Sequence, residues 1–150
     1  MARRNLSHIK NPTQEQLNDW LKEHGYDKPV PDAVLQPQVE EVRTGHCGML
    51  PDDMLAPMAT AQVARDVAMA DVLQAALAAH PDGVVLLAGN GHVRRDFAVA
   101  YWLRERGIAA DTVGFVEDAG EAAHFDRAEV VPPFARPDPC AKFKPPAKPQ

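Results

Sequence analysis

The sequence has few cysteines, no long apolar run and no excess of basic residues, and each shortage excludes a class of protein. Two cysteines among 150 residues are too few for a disulfide-rich scaffold or a cysteine zinc cage. No run of about 18 apolar residues occurs, so no transmembrane segment is predicted. The first residues include two arginines without a following apolar segment, and we therefore expect no signal peptide. With a formal net charge of −5, nucleic acid is not an expected partner.

The composition is that of a globular protein followed by a proline-rich segment. Charged residues make up 25% and hydrophobic residues 45% of the chain, and 150 residues suit one domain with a sizeable core. Seven of the 14 prolines lie after residue 131, where almost no apolar residues remain. We therefore predict a single domain over residues 1–131 and an extended or disordered tail over residues 132–150.

The most informative stretch is an apolar run, residues 84–88, that ends in a glycine turn. The run reads Val-Val-Leu-Leu-Ala, which predicts a strand buried on both faces. Residues 89–91, Gly-Asn-Gly, permit a sharp turn. Four polar side chains follow within five residues of this turn: His92, Arg94, Arg95 and Asp96. Since ligands in open α/β sheets bind beyond the carboxyl ends of strands, we predict a ligand site here.

Periodicity and capping patterns predict four helices and three strands. The helices are predicted at residues 14–24, 38–44, 54–79 and 97–106. The strands are predicted at residues 84–88, 112–116 and 128–131, with a weaker extended piece at residues 6–9. A strand–helix–strand order implies that the first two strands are parallel and joined by a right-handed crossover. The predicted fold class is α/β, with a mostly parallel central sheet flanked by helices.

The long predicted helix carries polar residues on two opposite faces. Three of them mark a narrow face predicted to be exposed to solvent: Thr60, Asp71 and Gln74. Three others lie on the side predicted to be buried: Gln62, Arg65 and Asp66. Burial of such groups is unfavourable unless each finds a partner. We expect these three to support the site at His92, and the alternative is a structural ion pair between Arg65 and Asp66.

The residues around His92 favour an anionic ligand over the common nucleotide and zinc motifs. A dinucleotide fingerprint needs a third glycine at the position of Arg94, so that interpretation is set aside. Zinc needs three or four ligands, and the candidates do not show a known zinc spacing: His92, Asp96, His46 and His124. Neighbouring arginines are typical of sites that pair with carboxylates or phosphates. His46, between two glycines, is either a loop residue with a local hydrogen bond or a functional one.

The segment from residue 87 to residue 96, Leu-Ala-Gly-Asn-Gly-His-Val-Arg-Arg-Asp, resembles the haem-binding ChaN-like family. That family is grouped with Tiki metalloproteases and erythromycin esterase-like proteins. The resemblance also includes five shorter pieces in the same order, at residues 45–48, 50–51, 61–62, 65–66 and 69–70, and continues at residues 136–140. It implies an α/β fold and a binding protein, not an enzyme, that binds haem during bacterial iron uptake in the periplasm or cell envelope.

The resemblance also implies a set of haem-binding residues. Arg94 or Arg95 would pair with the haem propionates, and the iron ligand would be His92, His46 or Tyr101, since histidine and tyrosine both serve as axial ligands. The remaining residues of the expected site are Gln62, Arg65, Asp66 and Asp96. The alternative is a Tiki-like metal-dependent hydrolase that uses zinc or manganese, with His92 and His46 as metal ligands. A further alternative is an inactive fragment of either.

Two more expectations follow from the resemblance. The family's first half-motif, glycine–glutamate–x–histidine, is absent, so this chain is expected to correspond to the C-terminal half of the family fold. Such a half would expose an apolar patch and would form a homodimer or bind a separate N-terminal half. The resemblance also places Cys47 beside the loop histidine and Cys140 in the tail. If the protein is exported, a disulfide between them is expected, whereas a cytoplasmic chain would keep both thiols reduced.

Overall fold

The computed structural model of the chain describes residues 13–142, and most of its regular structure is helical. Five α-helices occur in this range: α1 (Gln14–Glu23), α2 (Asp32–Gly45), α3 (Asp52–Ala79), α4 (Asn90–Val93) and α5 (Val99–Glu105). Two short strands follow, β1 (Val113–Val116) and β2 (Arg127–Val130), separated by a 3-10 helix at Ala119–His124. The extended piece predicted at residues 6–9 and the end of the predicted tail, residues 143–150, lie outside the described residues.

Capping residues and buried apolar contacts set the limits of the helices. The hydroxyl oxygen of Thr13 accepts a hydrogen bond from the backbone of Gln16, whose side chain bonds back to Thr13, so the predicted capping box is confirmed. Helix α2 begins at residue 32 instead of the predicted residue 38, and it includes Pro37. Its buried residues Val34, Gln38 and Val42 are spaced four apart. The stabilisation that α2 gains when this face packs against α3 is larger than the loss of helix stability caused by the internal proline.

Helix α3 forms the centre of the hydrophobic core. Helices α1, α2 and α5 all pack against it. The larger buried cluster consists mainly of residues from α1, α3 and α5, together with Phe97 just before α5: Leu17, Trp20, Leu21, Val63, Val67, Phe97, Trp102 and Leu103. A second cluster joins Val42 of α2 to Leu55 and Ala59 of α3.

Two predicted exposures on α3 are wrong. Thr60, predicted to face solvent, is buried, and Arg65, predicted to be buried, is exposed. A helical wheel drawn over the whole helix assumes that one face is covered along its entire length. Here different helices cover different turns of α3, so the buried face changes along the helix.

The sheet consists of β1 and β2, which pair in parallel with Val113 opposite Arg127 and Val116 opposite Val130. The two strands predicted at residues 112–116 and 128–131 are therefore confirmed. The strand predicted at residues 84–88 is wrong: this segment has no strand structure, and Val85 and Leu87 are 86% and 91% exposed. A buried strand needs a hydrogen-bonded neighbour and cover on both faces, and residues 13–142 supply neither at this position. The fold is thus helix-rich with a small parallel sheet, which is compatible with the predicted α/β class.

The tail is joined to the rest of the chain by a disulfide. Cys47 and Cys140 are bonded, with their Cα atoms 5.6 Å apart and a separation of 93 positions in sequence. Arg136 also donates two hydrogen bonds to the carboxylate of Glu117, at 2.8 and 3.0 Å. Residues 132–138 contain no helix or strand, and the predicted boundary between domain and tail at residue 131 stays a prediction. No helix within residues 13–142 is long and apolar enough to cross a membrane.

Candidate functional site

The short helix α4 holds His92 close to the end of strand β1. It begins directly after Gly89, and the side-chain amide of Asn90 donates a 2.9 Å hydrogen bond to the backbone carbonyl of Phe115. This bond fixes the turn to β1 although residues 84–88 do not pair with that strand. The predicted turn after residue 88 is a single helical turn, in which neither Gly89 nor Gly91 has a positive φ, and it places His92 against Asp66 of α3.

A buried carboxylate on α3 holds the imidazole of His92. Nδ1 of His92 lies 2.6 Å from Oδ1 of Asp66, whose side chain is fully buried. The other carboxylate oxygen accepts a 2.9 Å hydrogen bond from Nε2 of Gln38 on α2. Three helices thus meet at Asp66, and both of its oxygens have a partner, as a buried carboxylate requires.

The pairing determines which nitrogen of His92 is available to a ligand. An ionised carboxylate can only accept hydrogen bonds, so the proton shared with Asp66 belongs on Nδ1. No partner for Nε2 occurs among residues 13–142, and the side chain of His92 is 31% exposed. Nε2 is therefore the atom of this pair that an incoming ligand can reach.

Burial and hydrogen bonding shift the pKa values of both partners. Burial raises the pKa of Asp66, and this effect exceeds the opposing effect of the hydrogen bonds from His92 and Gln38. The hydrogen bond to Asp66 raises the pKa of His92, although partial burial and the charge of Arg65 oppose this rise. Proton uptake at this pair is therefore more favourable than at the isolated side chains.

Arg65 and Gln62 lie on the exposed side of the site. Nη1 of Arg65 donates a 2.9 Å hydrogen bond to Oε1 of Gln62, and the guanidinium is otherwise exposed. The Arg65–Asp66 ion pair, our alternative prediction, is not formed, because Asp66 instead bonds His92 and Gln38. Arg65 is nevertheless close enough to His92 for its charge to act on the imidazole.

Arg94 is occupied by protein groups. It bonds the carboxylates of Asp96 and Glu41, both at 3.0 Å, and contacts His124 at 2.8 Å. Its guanidinium also lies 4.4 Å from the centre of the Phe97 ring. Burial would raise the pKa of Asp96, but hydrogen bonds from Arg94 lower it below its usual value. Arg94 and Asp96 thus support the structure beside the site, and a ligand would have to displace these contacts to bind Arg94.

Arg95 differs from Arg94 because its side chain is exposed and has no side-chain partner among residues 13–142. Its backbone amide donates to the carbonyl of His124, and its carbonyl accepts from Arg104. These bonds fix the backbone of residue 95 and leave the guanidinium available to an anionic ligand.

His46 and Tyr101 lie apart from His92. Nδ1 of His46 is 2.7 Å from the carbonyl of Val42 at the end of α2, next to the disulfide. Tyr101 of α5 makes an edge-to-face contact with Trp102 and lines a separate cleft. No contact within the described chain joins either residue to His92. The same range holds no group of three His, Cys, Asp or Glu side chains arranged to bind a metal ion.

Gln38 is the site residue that sequence reasoning missed. The second helix is predicted to begin at residue 38, which makes Gln38 its first residue and gives no reason to expect it to be buried. The available signal was its spacing, because it lies four positions from both Val34 and Val42 and so falls within their apolar stripe. A polar residue in such a stripe needs a buried partner, and here that partner is Asp66.

Comparison with known protein families identifies a family whose model matches this chain. The model of a family described as haem-binding uptake, Tiki superfamily, ChaN, matches residues 2–103. The chain belongs to this family. The resemblance inferred from the sequence is therefore confirmed, and the matched range includes Gln38, Asp66 and His92, although it ends before the disulfide-bonded tail. No curated protein and no solved structure gives a significant match.

Proposed function

We propose that this chain binds haem and that Nε2 of His92 is the iron ligand. The observation that carries the proposal is the pair of His92 with buried Asp66, which leaves Nε2 without a partner among residues 13–142. Histidines that bind metals commonly donate a hydrogen bond from the N–H of their other ring nitrogen to a carboxylate. This bond fixes the tautomer and makes the metal-binding nitrogen more basic. The family description supplies the cofactor, and histidine is a common axial ligand of haem iron.

The surroundings of His92 suit the other parts of a haem molecule. The exposed guanidiniums of Arg65 and Arg95 are available to pair with the propionates. Apolar side chains that could contact the porphyrin are exposed close to α4: Leu87 precedes it, and Phe115 is 63% exposed where its carbonyl bonds Asn90. When bound, haem supplies an iron centre, while this chain supplies the ligand, its orientation and charge compensation.

Haem suits this donor set better than zinc or manganese does, because the porphyrin itself supplies four nitrogen ligands. One protein histidine is then enough to hold the iron. A catalytic zinc site needs three protein ligands, and residues 13–142 present no such group. The metal-dependent hydrolase therefore remains the second candidate, supported by the Asp66–His92 pair, which would also orient a metal-bound histidine.

The same proposal includes a role in haem or iron uptake in the bacterial cell envelope, as a binding protein and not an enzyme. The family description names uptake. The disulfide between Cys47 and Cys140 also supports an oxidising compartment such as the periplasm, since disulfides persist there and are rare in the cytosol.

Titration of the purified chain with haemin tests the proposal. We expect a shift of the Soret band that saturates at one haemin per chain. Because iron and a proton compete for Nε2, and Asp66 raises the pKa of His92, the affinity should increase as the pH rises above 6.5 and through that raised pKa. A shift that never saturates would contradict haem binding, and metal-dependent hydrolysis with zinc or manganese in its absence would favour the hydrolase.

We further propose that a second protein segment covers residues 84–88, in a homodimer or in a complex with a separate N-terminal half. Two exposed apolar side chains that are not assigned to the porphyrin support this: Val85 and Phe134, which are 86% and 75% exposed. The backbone of residues 84–88 has no strand partner within residues 13–142, and its side chains carry no charge that would oppose pairing with another strand.

Sedimentation of the isolated chain at micromolar concentration tests this assembly. We expect a dimer or larger species, and Val85→Lys should shift it toward monomer. Val72→Lys is a matched control, because Val72 is 69% exposed on α3 and outside this apolar surface. A monomer with a sharp cooperative melt would contradict the proposal, whereas a monomer that associates only when an N-terminal half is added would identify the partner.

A further inference from the structure

The amide of Gln38 continues the hydrogen bonds of the candidate site into helix α2. Gln38 is 4% exposed, and its Nε2 donates to Oδ2 of Asp66 at 2.9 Å. Oδ1 of the same carboxylate faces Nδ1 of His92 at 2.6 Å. The two bonds form one line from α2 through α3 to α4. At the outer end of this line is Nε2 of His92, on a side chain that is 31% exposed.

The chemistry of the Asp66 carboxylate sets the direction of both bonds. An ionised carboxylate only accepts hydrogen bonds, so Gln38 must present its amide N–H and His92 its Nδ1–H. With the proton on Nδ1, the lone pair of a neutral imidazole is on Nε2. The nitrogen that can accept a metal on α4 is therefore selected by a carboxylate whose second partner lies on α2.

Gln38 fixes the rotation of the Asp66 carboxylate. The side chain of Asp66 is fully buried, and Gln38 is the hydrogen-bond partner of its Oδ2 within residues 13–142. Without Gln38, this oxygen would be buried and unpartnered, which is unfavourable. The carboxylate would then turn, or α2 would shift against α3, until another donor reached it. Either movement takes Oδ1 out of line with Nδ1 of His92.

Stability alone does not account for this pair of buried polar residues. Gln38 lies in the apolar stripe of α2 between Val34 and Val42. Apolar side chains of the same shape in place of both Gln38 and Asp66 would be nearly neutral for stability or would increase it. An apolar pair could not hold a proton on Nδ1 of His92, whereas the polar pair does.

From this geometry we infer that Gln38 is a positioning residue for the ligand nitrogen of His92. It acts through Asp66, by holding the carboxylate in the orientation that keeps Nε2 of His92 free of a proton. The inference rests on the proposed role of His92 as the iron ligand. It adds α2 to the elements that determine how tightly the chain binds haem.

The position of the imidazole proton in the haem-free protein tests this inference. Long-range proton–nitrogen NMR spectra distinguish the two tautomers of a neutral histidine, and they are recorded above the raised pKa of His92. We expect the proton of wild-type His92 on Nδ1. Gln38→Met keeps a side chain of similar length but removes the donor. In this variant the proton should lie largely on Nε2, because the aligned carboxylate no longer holds it on Nδ1.

Two further variants make this result specific. Gln36→Met makes the same change on α2 at an exposed position, and it should leave the proton on Nδ1. Gln38→Asn keeps the amide but is one methylene shorter, so that it does not reach Oδ2, and it gives the same test if Gln38→Met does not fold. A proton that stays on Nδ1 in the folded Gln38 variant, or that moves equally in Gln36→Met, would overturn the inference.

Haemin titration of the same variants connects the proton to binding. Gln38→Met should weaken haemin binding by about tenfold, the lower end of the effect of supporting residues at metal sites, and Gln36→Met should not weaken it. Haemin binding that is equally tight in wild type and Gln38→Met would also overturn the inference. If the wild-type chain does not bind haemin but Gln38→Met still moves the proton, the haem proposal is wrong and Gln38 still positions His92.

Discussion

Replacement of His92 with alanine should abolish saturable haemin binding, with a loss of affinity of more than about 100-fold. Removal of a supporting residue from a metal site typically weakens binding by about 10–100-fold, and loss of the ligand itself should have a larger effect. His92→Ala also leaves the fully buried carboxylate of Asp66 with one partner instead of two, so the free energy of unfolding should fall by about 1–3 kcal/mol while the protein still folds. The measurement is the haemin titration followed at the Soret band, together with a thermal melt.

Three further variants make this result specific. His80→Ala is the matched control, because His80 is exposed at the end of α3 and its side chain has no partner in the described chain. His46→Ala and Tyr101→Phe test the other two candidate ligands. If either of them abolishes the Soret shift while His92→Ala retains it, the iron ligand is not His92 and the proposed site is wrong.

Asp66→Asn tests the role of Asp66 in orienting His92, because the variant keeps the proposed iron ligand and changes only the side chain that positions it. An asparagine amide can donate to Nδ1 of His92, which favours the tautomer with its proton on Nε2 and so opposes iron binding. We expect an affinity loss of about 10–100-fold with His92 still present. The haem that remains bound should show a higher reduction potential, because its ligand is less basic. Stability should not fall in parallel, since burial raises the pKa of Asp66 and its ionised form is unfavourable there.

The main parts of the site were predictable because local sequence features encode them. The glycines at residues 89 and 91 predicted the turn that presents His92, and helical spacing predicted that Asp66 points inward. The same method failed for Arg65, which precedes Asp66 by one residue, lies about 100° from it on the wheel and reaches solvent. A long flexible arginine at the edge of a buried face can extend its charge into water, whereas a short aspartate cannot.

The failures in the fold have a common cause, which is that local patterns do not identify the partner of a segment. Residues 84–88 have the composition of a buried strand, yet strand structure requires a neighbour, and the described chain does not provide one. The predicted start of the second helix at residue 38 excludes Pro37 from that helix, but buried contacts of Val34 and Val42 with other residues extend the helix back to residue 32. Both outcomes depend on tertiary contacts that are distant in sequence.

Removal of the disulfide should lower the free energy of unfolding by on the order of 4 kcal/mol. The bond closes a loop between positions 93 residues apart, and in the chain-entropy model such a cross-link restricts the unfolded chain by about this amount. The double variant Cys47→Ser/Cys140→Ser should therefore unfold at a much lower urea concentration. The oxidised protein should show no titratable thiol before reduction and two after it.

The contact between Arg136 and Glu117 provides the control for this experiment. It joins the same tail to the residue that follows β1, but it lies at the surface, where the side chains of Arg136 and Glu117 are 62% and 33% exposed, so Glu117→Gln should change stability little. If the disulfide holds the tail, the double variant should lower the free energy of unfolding strongly, and Glu117→Gln should lower it only slightly. If protein from its native compartment has two titratable thiols, or if reduction leaves the urea midpoint unchanged, the disulfide does not stabilise the fold. In the first case the support for an oxidising compartment is also lost, because that argument depends on the bond between Cys47 and Cys140.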